Sequence, residues 1–272
     1  MNNASRSRVV VWLDPNTPQE DALPALAGLG AAAEVLGLFV EDSDLLDLSR
    51  LSVAREITYE GKPARKMEQS RTEQQFRAHG ARMRNVFEAA ARKLSARHSF
   101  RVTRGVLRTE LQKVSADCDT LVLTHSRREF GPRLTIRMQL GDLLACGPRT
   151  LVIVQERWQT GRRIAVLFDG SPTSEHALRA GAAIAQSENA PLTVWLPESG
   201  DAGLEEKLPG ILGGSTGRFV RRVALQDIDA LVRATDEENV RVLVLPTTEP
   251  AGTRQIVTEL LDRANCSIII VR

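Results

Sequence analysis

A chain of 272 residues is long enough for two domains of ordinary size, each with its own core. Apolar residues make up 42% and charged residues 26%, the balance of a soluble globular protein; a net charge of +2 gives no whole-chain reason to expect nucleic acid or an acidic membrane as partner. The three cysteines, Cys118, Cys146 and Cys266, stand too far apart for a zinc site or a Cys-x-x-Cys redox pair, and they read as small buried residues in a reducing cytoplasm.

The chain starts MNNASRSRVVVWLD, basic but with an apolar run too short for a signal-peptide core. VVVWL (9–13) reads as the first strand, with Asp14 at its carboxyl end. Asn16 or Thr17 then caps a helix, and Pro18 suits its first turn. The longest apolar stretch, 22–40, contains Pro24 and Glu34 and is rich in glycine and alanine. A membrane helix needs about 20 strongly apolar residues, so this stretch reads as a small-residue helix followed by the strand EVLGLFV. Segment 43–67 has no counterpart of equal length later in the chain and reads as an inserted arm over the carboxyl edge of a sheet. From near Glu68, the residues Phe76, Gly80, Met83, Phe87, Ala90 and Leu94 step by four and three, which is one apolar face of a long helix. Arg77, Arg82, Arg84, Arg92 and Lys93 lie on its polar side. No aromatic residues interleave with them, so they read as a solvated face rather than a nucleic-acid surface. TLVLT (120–124) and TLVIV (150–154) bracket a further helix.

The second part of the chain repeats the first. DPNTPQEDAL (14–23) and DGSPTSEHAL (169–178) both follow an apolar run, VVVWL or IAVLF, and both place Ala-Leu at the same offset from the aspartate. VLVLP (242–246) and IIIV (268–271) close the second half as TLVLT and TLVIV close the first. Such self-similarity marks a duplicated domain. The junction falls near Gln159–Gly161, giving domains 1–158 and 162–272. Strands alternate with helices in each half, and several strands are continuous apolar runs. That is the pattern of a parallel sheet covered on both faces. The fold class is α/β: two tandem five-stranded parallel domains, doubly wound with right-handed crossovers.

In open parallel sheets, ligands bind beyond the carboxyl ends of the strands, where Asp14 and Asp169 lie. Gly170 permits a tight turn, Ser171 is a good cap and Pro172 suits a first helical turn. DGSP is therefore explained either as a plain strand-to-helix turn or as the rim of a ligand pocket.

IAVLFDGSPTSEHALRAGAAIA resembles the opening of a universal stress protein domain, and DTLVLTHSRREFGPRLTIRMQLGDLLACGPRTLVIV resembles that family's closing strand, helix and strand. The resemblance covers most of both halves except the arm at 43–67. It implies an adenine-nucleotide alpha-hydrolase-like fold and tandem copies packed as a pseudo-dimer through their last strands, near Val152 and Ile269. It also implies a role in survival under stress. Some members of the family bind ATP or AMP through a Gly, two residues, Gly, nine residues, Gly and Ser/Thr signature. Small residues there let backbone N–H groups approach phosphates. In the first half the signature positions fall on Thr124, Arg127, Arg137 and Met138, so the glycines and the hydroxyl are all missing. Gly131 and Gly141 share the nine-residue spacing, but that register sets Asp142 at the hydroxyl position and reads as coincidence. The corresponding stretch of the second half is five residues shorter, and Arg254 and Gln255 occupy the last two places. Its loop PTTEPAGT brings Glu249, which repels phosphate, and prolines, which lack N–H donors.

Arg127, Arg128, Arg133 and Arg137 either hold an anion where glycines do not, beside Asp14 and Thr124, or are exposed arginines on a loop and helix. His125 is the best acid/base candidate, but no nucleophile or carboxylate partner for it is identifiable. Neither a His-x-x-His adenylylation motif nor a Ser-Gly-Gly-x-Asp-Ser pyrophosphatase loop occurs. The expected function is that of a cytoplasmic, universal-stress-protein-like regulatory protein. It acts through protein or small-ligand binding without ATP, cofactor or metal, and its site residues are Asp14, Thr124, Arg127, Arg137, Asp169, Gly170 and Ser171. The alternative is an AMP or ATP sensor using the first domain; a nucleotide hydrolase or adenylyl transferase ranks lower. Expected partners are the other half of the chain, a second copy or an unidentified protein, with neither nucleic acid nor membrane.

Overall fold

The computed structural model describes residues 7–14, 34–56, 65–93, 96–125, 140–145, 147–155, 162–199, 203–213, 218–247 and 250–272. The first half contributes strands β1 (Arg8–Trp12), β2 (Glu34–Asp42), β5 (Arg97–Gly105), β6 (Thr120–His125) and β7 (Thr150–Gln155). Within the arm, β3 (Arg55–Glu56) and β4 (Arg65–Lys66) form a small antiparallel pair. The second half contributes β8 (Arg163–Leu167), β9 (Leu192–Pro197), β10 (Arg218–Val223), β11 (Val240–Pro246) and β12 (Ser267–Val271). The described helices are α1 (Ser43–Arg50), α2 (Gln69–Ala91), α3 (Leu107–Ala116), α4 (Pro172–Glu188), α5 (Gly203–Leu212), α6 (Ile228–Glu237) and α7 (Pro250–Arg263), with residues 140–145 also helical.

Ten strands form one sheet in the order β10-β9-β8-β11-β12-β7-β6-β1-β2-β5. Each half is thus a doubly wound five-stranded sheet of order 3-2-1-4-5, and its internal pairings are parallel. The fifth strands meet in the middle: β12 pairs with β7 antiparallel, and Ile269 stands opposite Val152. The expected contact between last strands is therefore the centre of the molecule. The proposed junction near 159–161 lies outside the described residues.

Continuous apolar strands bury both faces. Along β7, Val152 and Val154 point into one core layer and Leu151 and Ile153 into the other; along β12, Ile269 and Val271 oppose Ile268 and Ile270 in the same way. Both layers run without interruption through both halves. Polar contacts seal the flanks of this seam. The Gln155 side-chain amide donates to the Leu261 carbonyl at 2.9 Å, and the Arg272 guanidinium donates to the Gly147 and Ala145 carbonyls at 2.9 and 3.2 Å. Helix α7 also meets residues 140–145 across the seam: a Cβ on Gly141 would lie 3.0 Å from the Arg254 guanidinium.

The long helix starts one residue later than the spacing suggests, at Gln69, and Phe76, Gly80, Met83 and Phe87 form its buried face. Ala91 is buried where Ala90 was expected, and Ala90 is only half-buried. Leu94 and the first-half helix candidate within 22–33 lie outside the described residues. The arm folds as α1 followed by the β3–β4 pair. Asp42 caps α1 by accepting the Asp44 N–H at 3.0 Å.

Because both core layers cross the seam, Ile269→Ala is expected to cost about 2–5 kcal/mol. The two halves should still lose structure in one urea transition, followed by circular dichroism and intrinsic fluorescence together. Two separated transitions would contradict a shared core.

Candidate functional site

In each half the first and fourth strands are neighbours, and the chain leaves them toward different flanking strands. The crevice beyond their carboxyl ends is where this architecture places ligands. Val11 pairs with Val122 in the first half and Val166 with Val244 in the second, so Asp14 and Asp169 occupy equivalent places three residues further on.

In the second half β8 ends at Leu167, and the chain continues through Phe168 and Asp169 and turns at Gly170 with φ of 85°. A side chain at Gly170 would be strained by that angle, and its Cβ would come within 2.5 Å of Leu204 on α5. Ser171 caps α4: its hydroxyl accepts the Ser174 N–H at 3.1 Å, and Pro172 follows in the first turn. The Asp169 carboxylate accepts the Ser171 N–H at 2.9 Å. Burial alone would raise the pKa of this carboxyl. Hydrogen bonds from Ser171 and Ser174 outweigh burial and hold it below the ordinary aspartate value of 3.8.

Asp169 is nevertheless exposed, and it borders a cleft of about 160 Å³ between the ends of β8 and β11. Leu225 and Gln226, just past β10, form one wall; Gly252, Thr253 and Ile256, in the opening turns of α7, form another. A Cβ on Gly252 would meet nothing within 4 Å. Asp169 thus fixes the turn and also borders a cleft.

The cleft offers a carboxylate, the Gln226 amide, the Thr253 hydroxyl, the N-terminal end of a helix and apolar walls, but no lysine or arginine among its described lining residues. A triphosphate would meet a negative charge without a cation to offset it. The volume is also below the roughly 300–1,000 Å³ of a typical drug-sized ligand pocket. The arrangement suits a small molecule that donates hydrogen bonds to Asp169.

The first half differs. Asp14 and Thr124 stand at the ends of adjacent strands, but both are buried, at 3% exposure each, and both have partners within the protein. Arg127 and Arg137 lie outside the described residues, with Arg128, Gly131, Arg133 and Met138; so does the His125 side chain. The coincident-glycine register fails on geometry. Gly141 packs against Arg254, and Asp142 forms an ion pair with Arg108 at 2.5 Å. Arg254, at the third-glycine place of the second half, belongs to the same contact between halves. Gln226 and Thr253 were not foreseen. The signal available for Gln226 was its place just after the third strand, which also borders the crevice. Among the described residues no group of His, Cys, Asp or Glu side chains could hold a metal, and no helix is long and apolar enough to cross a membrane.

Neither family models nor curated proteins yield a match to the sequence. Solved structures do. A universal stress protein from Archaeoglobus fulgidus DSM 4304 aligns with 98% of this chain and 96% of its own, at 13% identity and a TM-score of 0.65. Two shorter universal stress proteins also match. One, in complex with cAMP, shows 21% identity over 42% of this chain and 99% of its own, with a TM-score of 0.36. The other, from Archaeoglobus fulgidus, shows 16% identity over 41% of this chain and 93% of its own, with a TM-score of 0.33. The chain has the universal stress protein fold, on a likeness that spans both halves.

Gly170→Ala combines a left-handed backbone angle with a clash, so it is expected to destabilise the protein by about 1–3 kcal/mol in thermal or urea melts. Asp169 has a folded pKa below its unfolded one, so its stabilising contribution is present above the ordinary carboxylate range and lost as pH falls through the lower folded value. Asp169→Asn should therefore be less stable than the parent at pH 7 and converge with it in acid. A stability difference that grows on acidification would contradict the assigned hydrogen bonds.

Proposed function

We propose that this protein is a universal-stress-protein-like regulatory binding protein that takes a small hydrogen-bond-donating ligand in the second-half cleft and works without ATP. The observation that carries this reading is the cleft at the β8–β11 switch point, which presents the ionised Asp169 and no basic side chain among its described lining residues. The missing phosphate signature and the Glu249 and prolines of the second half agree with it. The reading assigns no catalytic residue. It sets the protein in a reducing cytoplasm, in keeping with Cys118 and Cys266, neither of which forms a disulfide. Burial pushes the Cys118 thiol up to about 12, which keeps it unreactive.

A second reading keeps a phospho-ligand, AMP or ATP, in the first half. The adjacent ends of β1 and β6 support it, with Arg127 and Arg137 supplying charge beside Asp14 and Thr124. Each charge-assisted hydrogen bond there would contribute about 1.5–3 kcal/mol. The Arg127→Ala, Arg137→Ala double variant would then lose any thermal shift by phosphate, AMP or ATP.

Native mass spectrometry of the freshly purified full chain, followed by thermal shift with the released compounds, tests the first reading. A true ligand at a hundredfold excess over its dissociation constant should stabilise the protein by about 2.7 kcal/mol. Gly252→Leu, which adds bulk in open space, should fold normally and abolish that shift. ATP at millimolar concentration should give no saturable heat that Gly252→Leu removes; if it does, the ATP-independent reading is wrong.

A further inference from the structure

We propose that the free edge strand β5 docks an extended peptide in which acidic and apolar residues alternate. This surface is separate from the second-half cleft and stands independently of it. Strand β5 runs for nine residues, and among the described residues its only neighbour in the sheet is β2. The outward N–H and C=O groups of such an edge are a template for one more strand.

The two faces of β5 differ. Thr103 donates to Glu110, which places the Arg97, Ser99, Arg101, Thr103 face on the α3 side. Arg97 and Arg101 are exposed there, and neither forms an ion pair with a described residue, although Glu34 is the register neighbour of Arg97. The other face carries His98, Phe100, Val102 and Arg104, and Arg104 is held by Glu41 at 2.7 Å. The Phe100 ring lies 6.0 Å from that of Phe87, with the Arg84 guanidinium 4.9 Å from its centroid; Val102 lies near Gly80 of α2 and is 41% exposed. Side chains of an added strand alternate with a period of two. One set of alternate residues would therefore lie on the face of Arg97 and Arg101, and the set between would lie on the face of Phe100 and Val102. Acidic residues alternating with apolar ones complement both faces.

The opposite edge of the sheet also exposes an aromatic, Phe219, with the Arg163 guanidinium 4.7 Å from its ring centroid, but its cations are engaged. On β10, Arg221 is held by Glu237 at 2.6 Å and Glu238 at 3.2 Å, and Arg222 donates to the Pro197 carbonyl at 3.1 Å. A second copy is a poor occupant of β5. Antiparallel pairing centred on Ser99 would set Arg97 opposite Arg101 twice, and like charges directly opposite repel.

The test uses the full-length protein with dye-labelled peptides of alternating Glu-Val and Lys-Val, read by fluorescence anisotropy, and hydrogen exchange of the β5 amides. The Glu-Val peptide should bind about tenfold more tightly than Lys-Val, more weakly as salt rises, and should slow exchange within 97–105. R97E/R101E, at two exposed positions, should reverse the preference, and R97K/R101K should keep it. Equal affinity for the two peptides, protection confined to other elements, or unchanged binding by R97E/R101E would overturn the proposal. So would displacement of the peptide from β5 by a single-stranded oligonucleotide.

Discussion

The antiparallel pairing of β7 with β12 is the constraint on which the rest of the molecule depends. Each half closes on a strand that is apolar on both faces, and in isolation each would be an exposed edge open to indiscriminate pairing. Joining them removes both edges and makes one sheet with two continuous core layers. The antiparallel sense has a geometric consequence. Strands within a half run parallel, so the carboxyl ends of the two halves point to opposite rims of the sheet. Asp14 and Asp169, equivalent in the repeat, therefore lie far apart in role as well as in space. No ligand can bridge the two switch points across the seam.

That separation let the two copies of one motif diverge. Both aspartates end a first strand, yet Asp14 is buried and partnered within the protein while Asp169 remains exposed at a cleft rim. In the second half, Arg254 packs against Gly141 of the other half. A side chain that fills the contact between halves is not free to be replaced by a backbone cradle.

What the sequence made legible was local or periodic. The apolar runs foretold the strands, because a parallel strand covered on both faces has few alternatives. DGSP foretold its turn, because the glycine angle, the serine cap and the proline all act within four residues. The Val152–Ile269 register came through the family resemblance, since either fifth strand alone reads as any buried strand. The cleft was not legible. Its walls come from β8, the residues past β10, the end of β11 and the start of α7, and only the strand order brings these together. The difference in burial between Asp14 and Asp169 was hidden for the same reason: the motif is the same and the surroundings are not.

With the fifth strands consumed by the seam, the sheet has two ends left, and the halves treat them differently. The second half ends on the short β10, whose Arg221 is clamped by Glu237 and Glu238. The first half lengthens instead. Strands β2 and β5 pair over nine residues, and their extra length runs into the arm. Glu41 binds Arg104 at 2.7 Å at that end of the pair, and the next residue, Asp42, caps α1. The arm and the long edge are therefore one structural unit, built outward from the carboxyl end of β2. Extending a strand pair costs backbone entropy on every residue, of order 1–2 kcal/mol each, which local ion pairs at an exposed rim offset only in part. Packing of the arm and α2 against the extended strands supplies the remainder, with Leu46 and Phe76 buried beside Phe39 in the same layer. The second half keeps a small open cleft, whereas the first half has placed its extra chain along a long, accessible edge.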